Sequence, residues 1–143
     1  MKMPACCFVL FAIACRTAVS DAASRAEEYE LREKCGKRAA ELFKQEFGTG
    51  IQNTKNGQLV TVYRNHYSAK LNKCFLLLTT TSFETKKQPP SKTTTFTVVD
   101  INENREYGSF TKIENTPFTC YVLEKTCVSE QEWNSLIRVY MDE

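Results

Sequence analysis

The chain has a single histidine among its 143 residues, so a zinc site built on the usual mixture of histidine and cysteine has little to draw on. Its five glycines are scattered, which excludes a glycine-rich loop for phosphate. No nucleophile elbow surrounds Ser68, and no catalytic triad can be assigned from the text. Internal repeats and low-complexity tracts are missing. No apolar run beyond the N-terminus approaches the ~20 residues that cross a bilayer, so no transmembrane segment is expected. An excess of charge is also missing once the N-terminus is set aside. The formal +2 comes from Lys2 and Arg16, and the remaining basic and acidic residues balance. A balanced chain argues against nucleic acid as a partner, because phosphate backbones reward a strong basic excess.

What is present begins at the N-terminus. Met1-Lys2, an apolar stretch from Phe8 to Cys15 and the A-x-S site Ala18-Val19-Ser20 form a secretory signal, expected over residues 1–20. Residues 21–143 are then one domain, placed outside the reducing cytoplasm, either secreted or periplasmic. Ala12-Ile13-Ala14-Cys15 also loosely fits a lipoprotein box, which would anchor the protein to the envelope through Cys15.

Two helices have marked starts. Ser24 with Glu27 is a capping box, followed by Leu31, Cys35, Ala39, Leu42 and Phe43 at helical spacing and by Gly48 as a stop. Ser129 with Glu132 repeats the box, and Trp133, Leu136, Ile137 and Tyr140 give one apolar face. Gly36 suggests close approach of a neighbouring strand to the first helix. Between the helices the chain is rich in Thr, Val, Phe and Tyr, broken by turn residues. Strands are expected over Leu59–Tyr67, Lys73–Phe83, Thr94–Ile101, Arg105–Ile113 and Phe118–Leu123, with Glu84–Lys92 a mobile, solvated loop. Short connections favour antiparallel pairing. The expected fold is α+β: a twisted antiparallel sheet of four to five strands with an N-terminal and a C-terminal helix covering one face. A closed small barrel with flanking helices is the alternative.

Cysteines 6, 7 and 15 leave with the signal, and Cys35, Cys74, Cys120 and Cys127 remain. Spacings of 38, 45 and 6 residues lack the close pairs typical of metal sites, so two disulfides are expected and no metal. Cys35–Cys74 with Cys120–Cys127 is the favoured pairing, and Cys35–Cys120 with Cys74–Cys127 competes. In the chain-entropy picture the favoured closures contribute about 4 and about 2.5 kcal/mol.

The densest stretch runs from Tyr63 to Phe75. Its Asn65-His66-Tyr67 and Lys70-Leu71-Asn72-Lys73-Cys74-Phe75 segments resemble a pattern in small exported bacterial proteins of unassigned activity. The resemblance extends to a first cysteine on a helix and to Tyr107-Gly108, about half the mature chain. It implies an exported bacterial protein and adds no reaction.

Read physically, the stretch is two strands joined by a polar turn, with Tyr63, Asn65 and Tyr67 on one face and Arg64 and His66 on the other. His66 is the natural acid–base candidate, weighed against a purely structural hydrogen bond at the strand end. Six basic residues between Thr61 and Thr93 face Glu84 alone, a local +5, whereas the stretch from Ser129 to Glu143 carries −3. The expectation is an exported binding domain for a protein or cell-envelope component, using the sheet edge and basic loop. Arg64, His66, Tyr67, Lys70 and Lys73 are its candidate residues, and no cofactor is implied. A small secreted hydrolase using His66 as general base is the alternative, as is a lipoprotein anchored at Cys15.

Overall fold

The computed structural model describes residues 16–142, with side chains from residue 24 onward. The apolar stretch of the expected signal and Cys15, where the alternative reading expects a lipid, lie outside these residues. Helix α1 spans Arg16–Phe47 and helix α2 spans Glu130–Met141. Between them come β1 (Ile51–Asn53), β2 (Gln58–Ser68), β3 (Lys73–Glu84), β4 (Ser91–Asp100), β5 (Arg105–Ile113), β6 (Thr116–Val122) and β7 (Lys125–Thr126). All seven pair antiparallel in sequence order, a simple meander. The α+β class holds, but the sheet has seven strands where four to five were expected. The two extra strands, β1 and β7, are three and two residues long, too short to show an alternating pattern.

Strand alternation explains the layering. On β3, Cys74 and Leu76 join Cys35 and Ala39 of α1 in one buried cluster. Their neighbours Phe75 and Leu77 join Trp133, Ile137 and Met141 of α2 in another. Successive residues of a strand point to opposite faces, so the helices cover opposite faces of the sheet. This corrects the expectation of one covered face. The apolar run Cys74-Phe75-Leu76, buried at all three positions, is what a strand between two helices requires.

The helix ends follow their sequence signals unequally. Ser129 Oγ accepts from Glu132 N at 3.1 Å, the cap bond the box calls for, while Glu132 Oε2 accepts from Val128 N, one residue before the cap, at 2.8 Å. Gly48 adopts φ +60 and donates its N–H to Lys44 O, ending α1 as expected. The start differs, because α1 already runs from Arg16 through Ser24. Alanines 18, 22, 23 and 26 are the best helix formers, and no glycine or proline interrupts them. Gly36 also differs from its expected role. A Cβ there would meet only Asn65 Nδ2, at an ordinary 3.8 Å, so nothing in the packing demands glycine.

The disulfides join Cys35 to Cys74 and Cys120 to Cys127, with Cα separations of 5.5 and 5.0 Å. The first staples α1 to β3. The second links β6 to the segment leading into α2. The expected mobile loop is a tighter hairpin, in which Glu84 at its base accepts from both Lys87 Nζ and Ser91 Oγ at 2.9 Å.

Candidate functional site

Tight turns set the end of the sheet where the chemistry gathers. The β2–β3 turn closes at Asn72 and the β4–β5 turn at Asn104, both at φ +50, a conformation asparagine tolerates well. Asp100, at the end of β4, has no exposed surface. Its Oδ1 accepts from the N–H of Asn102 at 3.0 Å and of Glu103 at 3.4 Å, capping the turn. Its Oδ2 meets Lys73 Nζ at 2.6 Å, and the same ammonium reaches Glu103 Oε1 at 2.7 Å. Burial alone would raise the Asp100 carboxyl. The Lys73 ammonium and the two N–H groups overcome it and hold the group below its ordinary range. Hydrogen bonds to Asp100 and Glu103 raise Lys73 well above the ordinary lysine range.

A β-bulge builds the next layer. Val98 pairs with Gly108 and Val99 with Glu106, which leaves Tyr107 as the extra residue on β5. Tyr107 turns into the α2-side core, its ring 5.1 Å from Phe75 and 5.1 Å from Tyr140. Arg105 lies over the Tyr107 ring, 5.4 Å from its centroid, and Lys73 lies over it at 5.7 Å. Burial, then the neighbouring Tyr107, pushes the Tyr140 phenol up.

Arg105 and Tyr140 also line an open cleft of about 660 Å³ between α2 and the β6–β7 turn. Leu136, Val139 and Tyr140 come from α2, Val122, Leu123 and Glu124 from the end of β6 and its turn, and Lys125 from β7. Leu123 stands at φ +51, a conformation rarely taken by a branched apolar residue. Its N–H donates to Tyr107 O at 2.7 Å, which ties the cleft's lip to the bulge. Neither Arg105 nor Lys125 forms an ion pair among the described residues. Lys112, by contrast, meets Glu130 at 2.6 Å, and Lys73 is doubly paired.

The residues singled out from sequence do not share one surface. Tyr67 is buried on the α1 side, donating its hydroxyl to Asn72 Oδ1 at 2.7 Å. Arg64 is on the α2 side, 3.3 Å from Asp142. His66 is half-buried on that same side, paired across the strands with Phe75, and is outside the lining of the 660 Å³ cleft. Lys70 is exposed in the β2–β3 turn. Lys73 is committed to Asp100 and Glu103. Sequence reasoning missed Arg105, Lys125 and the aim of Tyr107. One signal was available: Tyr107 and Phe110 are three apart, which a regular period of two cannot place on one face. Among the described residues, no group of three His, Cys, Asp or Glu side chains is arranged to hold a metal ion. Comparison with protein-family models, curated proteins and solved structures finds no match.

Proposed function

We propose that this is an exported binding domain whose ligand site is the cleft between α2 and the β6–β7 turn. The carrying observation is that one lining brings the apolar Leu136, Val139 and Tyr140 together with two cations, Arg105 and Lys125, that form no ion pair among the described residues. The lining offers a single carboxylate, Glu124, and neither histidine nor a hydroxyl nucleophile beyond the tyrosine. That chemistry suits holding a ligand. The pair of disulfides is compatible with the secretory pathway or periplasm. So is the lack, among the described helices, of one long and apolar enough to cross a membrane. The partner class remains the one expected from sequence, a protein or a component of the cell envelope.

Titrating isotope-labelled, disulfide-intact protein with fractionated envelope extract tests this reading by amide shift mapping. Perturbations are expected to cluster at Arg105, Leu123–Lys125 and Leu136–Tyr140. Perturbations confined to Arg64, His66 and Lys70 would move the site to the surface favoured by sequence alone.

A further inference from the structure

We infer that the cleft takes a monocarboxylate carrying an apolar chain, a proposal that rests on the cleft being the binding site. The first argument is charge. Arg105 and Lys125 against Glu124 leave the lining one positive charge in excess, suited to one anionic head group. The second is the setting of Arg105. Its guanidinium lies over the Tyr107 ring, and that ring is itself held by Phe75 and Tyr140. A stacked guanidinium keeps its edge N–H groups available, and their fork matches a carboxylate's two oxygens. Lys125, a compact point charge, is the second cation of the same lining.

The third argument is the floor. Val122, Leu123, Leu136, Val139 and the Tyr140 ring supply the apolar part of the same lining. Leu123 keeps 45% of its surface exposed at the lip, in a left-handed conformation that its hydrogen bond to Tyr107 helps hold. An exposed leucine in a disfavoured conformation beside a cleft is the pattern of a residue kept for contact. The volume of about 660 Å³ lies within the range of small-molecule sites and accommodates a medium-length acyl chain.

The test uses sodium decanoate below its micellar concentration, with decanamide as the uncharged control of equal chain length, on disulfide-intact protein. Decanoate is expected to perturb the amides of Leu123, Leu136 and Val139, and to bind roughly tenfold more tightly than decanamide. The double variant Arg105→Gln/Lys125→Gln should bind decanoate no better than decanamide. Both positions are exposed, so its melting temperature should fall only by the small loss of the Arg105–Tyr107 contact, and Val139→Glu gives a second variant that blocks the lining. Equal binding of the acid and the amide would overturn the ligand class while leaving the cleft as a binding site. A short peptide ending in a free leucine carboxylate that displaces decanoate at lower concentration would also overturn it. If neither decanoate nor decanamide perturbs any cleft residue, the acyl ligand falls. The broader reading is then judged by the envelope titration alone.

Discussion

Lys73 Nζ stands 2.6 Å from Asp100 Oδ2, a carboxylate that no solvent reaches, and this contact ties the β2–β3 turn to the β4–β5 turn. The same ammonium lies over Tyr107, so the pair also supports the aromatic wall behind Arg105. Asp100→Asn keeps an acceptor for the turn but sets an amide N–H₂ against the lysine. A loss of about 1–3 kcal/mol in unfolding free energy is expected from the unsatisfied buried donor. Chemical denaturation checks it, and an unchanged midpoint would show that the pair contributes nothing.

The pH dependence has a fixed sign. Asp100 titrates below its ordinary 3.8 in the folded state, so its contribution is present above about pH 4 and fades as pH falls through the depressed value. Lys73 titrates above its ordinary 10.5, so its share is present below about pH 10.5 and is lost as pH rises beyond that. These two groups should leave melting temperature flat from about pH 5 to pH 9, with decline at both extremes. Asp100→Asn should blunt the acid decline.

Two glycines should respond in opposite directions. At Gly108 an added Cβ would fall 2.5 Å from Tyr121 O and 3.0 Å from Val122 Cα, backbone that cannot move aside cheaply. Gly108→Ala is expected to destabilise by about 1–3 kcal/mol. At Gly36 an added Cβ meets only Asn65 Nδ2, in ordinary contact at 3.8 Å, and alanine should stabilise the helix by about 1 kcal/mol. Thermal unfolding of the two variants separates the outcomes.

The cap of α2 holds one wall of the cleft. Ser129→Ala removes the acceptor for Glu132 N and should lower stability by about 1 kcal/mol. Hydrogen exchange should quicken first in the amides of the first turn of α2.

Much of the fold was legible because local signals were strong. The Ser129 cap, the apolar face of α2 and β5 over Arg105–Ile113 all appear where the pattern placed them. The disulfide pairing also matches, since β3 lying against α1 brings Cys35 and Cys74 together. Layering was harder. The run Cys74-Phe75-Leu76 signals burial on both faces, yet a run cannot say which helix takes which face until α1 and α2 are placed. The site was harder still. Arg64, His66 and Tyr67 are neighbours in sequence, and alternation along β2 sends Tyr67 to the other face. The cleft is assembled from β5, the β6–β7 turn and α2, and only tertiary packing makes Arg105 and Tyr140 neighbours.

The most direct test of the account is peptide mapping of native, non-reduced protein exported to an oxidising compartment. One cross-linked peptide should join Cys35 to Cys74 and another Cys120 to Cys127. Four titratable thiols, or a peptide joining Cys35 to Cys120, would contradict the stapled two-sided sheet and the exported binding domain built upon it.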